Sequence, residues 1–276
     1  MRTETSMDIR DIYKKEKEAG RYYADKYTEA YNVLFYKAAR ENIAKTITKR
    51  FKERPLHILD MGCGPGNLAQ EIKVFMKEDV FVMDISEDML KEAKKSGIRH
   101  GVCGVTEDLP FKDMSFDVVA GFSILHHLLD LKKAFKEIAR VLKPGGFFIF
   151  GEPFEIPHLS IWKARVIYGP YFIYYKVLKM KNQKELRALE EANFDKWTTE
   201  IHRHLSIMEL NEALGGLPLV YKVKRFGVTT PFFGTSMFPN KRLDRIFFGI
   251  LSKIDCLYSR LCERFTQEGI ISGEKL

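Results

Sequence analysis

The run Ile58-Leu59-Asp60-Met61-Gly62-Cys63-Gly64-Pro65-Gly66-Asn67 constrains the fold more than any other stretch of this chain. An apolar segment stops at an acid and a glycine-rich turn, which predicts a buried strand, a tight loop and a helix from about Leu68. Glycines at alternate positions let backbone approach a ligand where a Cβ would collide. The start of the following helix adds unpaired N–H groups facing the same space. A strand–loop–helix of this kind is a cradle for a nucleotide-containing cofactor.

Two cofactors compete for it. A dinucleotide fingerprint spaces its glycines G-x-G-x-x-G and places a ribose-binding acid about 20 residues on. Here the spacing is G-x-G-x-G, although Asp84 does end a second apolar run, Val80-Phe81-Val82-Met83. Asp60, on the strand side of the loop, would repel a pyrophosphate but suits a cationic amino-acid end. That favours S-adenosylmethionine over NAD.

The middle of the chain alternates strand and helix patterns, with strands expected at 56–60, 80–84, 98–103, 116–121 and 147–151. This predicts a mostly parallel sheet with helices on both faces. The helix after Asp130 carries Leu131, Ala134, Phe135, Ile138 and Leu142 at helical spacing and stops before Pro144-Gly145-Gly146. Further blocks follow in order: Leu109-Pro110-Phe111, Ser115-Phe116-Asp117-Val118-Val119, Leu125-His126-His127-Leu128 and Arg140-Val141-Leu142-Lys143-Pro144-Gly145-Gly146. With the glycine loop and Asp84, these blocks resemble the class I S-adenosylmethionine-dependent methyltransferases over about residues 56 to 153. The similarity is greatest to the branch that holds the quinone-biosynthesis and small-molecule enzymes.

The resemblance implies a Rossmann-like α/β fold and S-adenosyl-L-methionine as cofactor. On this reading Gly62, Cys63, Gly64 and Gly66 leave room for its methionine and ribose portions, and Asp60 orders its amino-acid end. Asp84 accepts the ribose hydroxyls, Ile85 and Met89 wall the adenine, and Ser123 lines the site after the fourth strand. One position departs from the family pattern. An acid that commonly precedes the Leu-Pro-Phe block is replaced by Val105, which leaves the backbone of Val105 and Thr106, or Glu107 in a shifted register, to read the adenine edge.

The flanks read differently. Residues 1–54 are polar and helical, with Tyr23, Tyr27 and Tyr31 on one face. By the resemblance this segment is a lid, with Tyr22, Tyr23 and Tyr27 as contacts to the cofactor. The catalytic domain is expected over 55–236, with a cap over the acceptor from an aromatic and basic insertion at 155–200. Ser206 and Glu209 form a capping-box pattern ahead of a helix ending at Gly215-Gly216, and 219–226 alternates as a late strand. A C-terminal helical extension is expected over 237–276, with an amphipathic stripe from Leu243 to Leu261. Segments 161–181 and 241–262 admit either core packing or peripheral contact with a membrane. The chain is read as a monomer or a homodimer.

Net charge of +8 is spread without a block of like charges, so no nucleic-acid partner is expected. No apolar run reaches the ~18 residues of a membrane span, no secretory signal is read at the start, and no cysteine pair has metal spacing. A cytoplasmic protein without metal is expected, with a surface attachment to membrane as the open alternative.

For the chemistry, methyl transfer from a sulfonium needs alignment and exclusion of water. His126 and His127, after the fourth strand, and Glu152, after the fifth, are the candidate bases, with His158, His202 and His204 further off. The expected reaction is methylation of oxygen or carbon on a small acceptor, lipophilic or glycan-linked. Two competing readings are a non-catalytic cofactor-binding module that serves a protein partner, and an NAD-dependent oxidoreductase.

Overall fold

The computed structural model describes residues 34–52, 55–76, 79–155, 204–226 and 268–276. Helix α1 (Leu34–Phe51) precedes strand β1 (Ile58–Met61), helix α2 (Asn67–Met76), β2 (Val80–Asp84) and α3 (Glu87–Lys95). Then come β3 (His100–Cys103), β4 (Phe116–Phe122), a 3-10 turn (Leu125–His127), α4 (Leu131–Val141) and β5 (Leu142–Pro153). Helix α5 (Ile207–Leu214), β6 (Leu219–Phe226) and β7 (Glu268–Lys275) complete the described elements.

The strands form one sheet in the order β3-β2-β1-β4-β5-β7-β6. Strands β1 to β5 run parallel, whereas β7 is antiparallel to both β5 and β6. Side-chain alternation sends successive residues to opposite cores. Leu59, Val119, Phe148, Phe150 and Ile271 pack on one face with α4 and α5. Ile58, Val118, Phe147, Ile149 and Ile270 pack on the other, with α1, α2 and α3. Because both faces are covered, the central strands are apolar nearly throughout.

The helix ends follow their sequence signals. Asp130 accepts the Lys133 amide at 2.8 Å at the start of α4. Both halves of the Ser206–Glu209 capping box form at α5, which ends at Gly215. The late strand expected at 219–226 is β6. Strand order reverses between β2 and β4, on either side of β1, so ligands of such a sheet bind beyond the carboxyl ends of β1 and β4.

One expectation is overturned. Residues 268–275, assigned from sequence to a helical extension over 237–276, are β7, seated inside the sheet between β5 and β6. Ile270 and Ile271 each fill a different core, and Gly269 and Gly273 leave room for the rings of Phe154 and Phe148. Two isoleucines between glycines are too short a pattern to read as a strand without its neighbours. The stripe at 243–261, the lid tyrosines and residues 156–200 of the expected insertion lie outside the described residues. Among those described, no helix is long and apolar enough to cross a membrane.

A Cβ at Gly273 would overlap the Val220 carbonyl oxygen and meet Phe148. Gly273→Ala is predicted to cost about 1–3 kcal/mol of stability as overpacking, read from the denaturant midpoint. An unchanged midpoint would mean that β7 does not sit between β5 and β6.

Candidate active site

The glycine loop leaves the carboxyl end of β1, and each of its glycines has positive φ: 67° at Gly62, 52° at Gly64 and 83° at Gly66. Their surroundings differ. A Cβ on Gly62 would collide with Ile124, and one on Gly66 would press on Ala93 at 3.1 Å and Ile98 at 3.2 Å. At Gly64 a Cβ would meet no atom of the described residues within 4 Å. Two glycines therefore let the loop pack, and nothing among the described residues crowds the middle one.

Two carboxylates hold this loop. Asp84, at the end of β2, accepts the Gly64 amide at 2.8 Å through Oδ2 and the Ser86 amide at 2.9 Å through Oδ1. Asp60 is buried in β1, and its Oδ2 accepts the Ala69 amide at 3.0 Å in the first turn of α2. Its Oδ1 has no hydrogen-bond partner among the described residues. Burial, the largest influence, pushes the Asp60 carboxyl up to about 8; the Ala69 amide opposes this, the Asp84 charge adds to it, and Arg40 counters it.

Other expected residues gather around this cradle. Cys63 is buried in the loop, its thiol 3.3 Å from the Gly64 oxygen and pushed well up, mainly by burial. Ile85 follows Asp84 directly, and Met89 is buried on α3, whose cap Ser86 accepts the Met89 amide at 3.4 Å. Val105 bridges to Asp108 in a turn after β3. Thr106 is buried and donates to Glu107 at 2.8 Å, leaving Oε1 of Glu107 without a partner among the described residues. Arg140 steadies the neighbouring loop by donating to the Leu109 and Phe111 carbonyls at 2.9 and 2.8 Å. Ser123 has φ of 56°, a strained conformation for a residue with a Cβ, and its amide donates to Gly151 at 2.8 Å.

The structure brings the candidate bases together at the ends of β4 and β5. Glu152 is fully buried; Oε1 accepts the Ile124 and Leu125 amides, both at 2.8 Å, and Oε2 lies 2.7 Å from Nδ1 of His126. The His126 and His127 rings are tilted, with centroids 4.2 Å apart. His126 is held below its ordinary pKa, first by burial and then by His127, with His204 adding to the effect and Glu152 opposing it. His204 is exposed and precedes Leu205, whose amide donates to the Pro153 carbonyl at 3.1 Å. Tyr27, His158 and His202 lie outside the described residues.

Two buried charged residues, Arg40 and Glu268, escaped the sequence reading. Arg40 lies on the buried face of α1 beside Ile43, Ala44 and Ile47, and its guanidinium is 5.8 Å from the Phe122 ring. An arginine at the helical spacing of that apolar face was the available signal. Glu107 was read only as a fallback for Val105. Glu268, opposite Pro153 in β7, is pushed up to about 8 by burial and then by the Glu152 charge.

Comparison with known proteins agrees with this geometry. The methyltransferase domain family matches residues 59–150. Demethylmenaquinone methyltransferase of Leptospira interrogans is 32% identical over 135 residues, which are 45% of this chain and 53% of that one. The mitochondrial arginine-hydroxylase NDUFAF5 of Homo sapiens is 35% identical over 114 residues, 40% of this chain and 33% of that protein. The matched stretch thus spans about half of one curated relative and a third of the other. A solved structure from Thermotoga maritima, described as a SAM-dependent methyltransferase and possible histamine N-methyltransferase, shares the fold at a TM-score of 0.55. It is 18% identical, and the likeness covers 94% of this chain and 99% of that one.

The raised carboxyl of Asp60 has a consequence for stability. A group whose folded pKa lies above its unfolded value contributes stability that is full below the unfolded value and lost as pH rises through the folded one. Stability is predicted to fall between pH 3.8 and about 8, because over that window the carboxyl of Asp60 ionises in the unfolded chain while it stays protonated in the fold. Asp60→Asn, which keeps an oxygen for the Ala69 amide, should flatten part of that decline in denaturant midpoints measured across pH. An identical profile would show that burial of Asp60 carries no such cost.

Proposed function

We propose, from the premise that residues 59–150 belong to the class I S-adenosylmethionine-dependent methyltransferases, that this protein methylates oxygen or carbon of a small lipophilic acceptor. The observation that carries the reading is the pair of carboxylates flanking an open glycine loop. Oδ1 of Asp60 is a buried acceptor without a partner among the described residues, and a cationic ammonium group would satisfy it. Asp84, which holds the Gly64 and Ser86 amides at the end of β2, is the acceptor read for a ribose diol. Among the described residues nothing crowds the Cβ side of Gly64, which is read as the place for the body of the cofactor. These residues fit S-adenosylmethionine, with Ile85, Met89 and the backbone of Val105 and Thr106 toward the adenine.

When bound, the cofactor supplies an electrophilic methyl group on a cationic sulfur. The chain then has to align an acceptor, keep water out and receive a proton. His126, His127 and Glu152, at the ends of β4 and β5, are the groups for the last task. The likeness to demethylmenaquinone methyltransferase supports a lipophilic acceptor over a glycan-linked one. A second reading, hydroxylation of an arginine side chain, draws support from the mitochondrial relative.

Purified protein incubated with methyl-labelled cofactor and separate lipid, glycan and protein fractions of a cell extract should label the lipid fraction. A protein fraction that gains oxygen on arginine, and no methyl group anywhere, would favour the hydroxylase instead. Asp84→Ala should weaken S-adenosylhomocysteine binding by at least ~10-fold, as expected for loss of charge-assisted hydrogen bonds, with a native far-UV spectrum; unaltered affinity removes the ribose assignment. Binding at pH 7 should also release about one proton, because Asp60 must ionise to meet the ammonium group. Calorimetry in buffers of different ionisation enthalpy measures that release, and Asp60→Asn should abolish it.

A further inference from the structure

Strand β7 begins with a buried acid at the end of the sheet that carries Glu152. Glu268 is its first residue, opposite Pro153 of β5 and Phe226 of β6. It is 8% exposed, and its carboxyl makes no hydrogen bond or ion pair among the described residues. The elements around it supply no cation. Lys224 of β6 is exposed, opposite Ile270; Arg225 lies over the Phe154 ring at 4.8 Å and donates to the Glu155 carbonyl at 3.3 Å. Arg40 of α1 lies against the Phe122 ring. From β5 comes Glu152, opposite Gly269 and so one step along the ladder, and its charge is the one that bears on Glu268 among the described residues. Around Glu152 in turn stand His126, His127 and, ahead of α5, His204.

The two acids are placed unequally. Two amides and an imidazole nitrogen meet Glu152, whereas no donor of the described residues meets Glu268. A carboxyl group buried without a donor is stable only while it keeps its proton. Ionising Glu268 sets a second negative charge near the first, where little water reaches. A strand end relieves such a charge most readily, because only Glu268 and Gly269 have to leave the ladder. We propose that Glu268 is a proton-operated latch: protonated, it lets the start of β7 close on β5 over the Glu152 carboxylate; ionised, it releases Glu268 and Gly269 from the ladder and loosens the loop after β4. The two ends are linked through Glu152. Water admitted where Gly269 pairs with Glu152 reaches the carboxylate that fixes the Ile124 and Leu125 amides and the His126 ring. Nothing is exchanged except one proton, which goes to solvent.

The direction follows from the surroundings of the group. Burial, and then the Glu152 charge, push Glu268 from 4.5 up to about 8. A carboxyl whose value is higher in the closed state than in the open one favours closure fully below 4.5, and that contribution is lost as pH rises through about 8. The latch therefore holds hardest in acid and slackens toward the alkaline side.

Hydrogen exchange followed by NMR on the full chain reads this locally, with the amides of β1 as the reference for global unfolding. Relative to them, protection of the Gly269 and Ile270 amides should fall by up to ~10-fold per pH unit between pH 4.5 and about 8 and then level off. The Ile124 and Leu125 amides should lose protection over the same window. In Glu268→Gln, which keeps the size of the side chain but cannot ionise, both declines should be gone. If β7 and β1 change in parallel at every pH, or if the variant keeps the decline, there is no latch. A β7 that loosens while Ile124 and Leu125 stay protected also overturns the proposal, because the strand end is then severed from the loop. Should Glu268→Gln not fold, carbon-13 NMR of the glutamate carboxyls in the unaltered protein decides. One of them should titrate near pH 8, in step with the loss of β7 protection; glutamates that all titrate in the ordinary range sink the idea.

Discussion

Burial of the central sheet on both faces governs where polar chemistry can reside in this molecule. Strand β1 is buried along its whole length and β4 nearly so, so a charged group within them must be satisfied locally or serve a ligand. The carboxyl ends of the strands escape this restriction because helices start there and present amides. Asp60 uses the Ala69 amide of α2, Asp84 the amides of Gly64 and Ser86, and Glu152 those of Ile124 and Leu125. Each carboxylate thereby staples a loop to a strand, and the staples set the shape of the cleft. Their side chains are structural and chemical at once, which is why they can be held rigidly enough to matter.

How much of this could be read from sequence depended on whether the signal was local. The glycine loop, the acids ending β1 and β2, and the strand–helix alternation from Ile58 to Phe150 are local patterns, and the fold around them follows from those patterns. So does the Ser206–Glu209 capping box, which is completed within one turn. Strand β7 was invisible because nothing in Glu268–Lys275 favours an extended conformation by itself. Its isoleucines are paid attention only by cores that β5 and β6 have already built, and its glycines suit Phe148 and Phe154, which lie more than a hundred residues away. Position within a sheet is a non-local property, and the assignment of 268–275 to a helical extension failed for that reason.

The same distinction explains the site. That His126, His127 and Glu152 matter could be suspected from their places after β4 and β5, but the hydrogen bond between His126 and Glu152 could not, since it joins residues of different loops. Arg40 and Glu268 were missed altogether. Arg40 arrives on α1, before the cradle, and bears electrostatically on Asp60. Glu268 arrives on β7, at the far end of the chain, and its own carboxyl feels the Glu152 charge. Charged groups from outside the matched segment thus lie near each of these carboxyl groups.

Those outlying charges separate the two halves of the cleft. On the β1–β2 side a buried carboxyl group has an oxygen without a partner among the described residues, and an arginine acts on it, a combination that lowers the cost of ionisation when a cation arrives. On the β4–β5 side both oxygens of the carboxylate are engaged in holding a loop and a ring, and a second acid behind it is pushed up to about 8 by burial and then by repulsion. An oxygen without a partner among the described residues is suited to meeting a ligand, whereas one already engaged is suited to holding another group still. Glu152, fully buried, ties the loop after β4 and the His126 ring to the end of β5, so the two ends of the sheet hold their carboxyl groups in different ways.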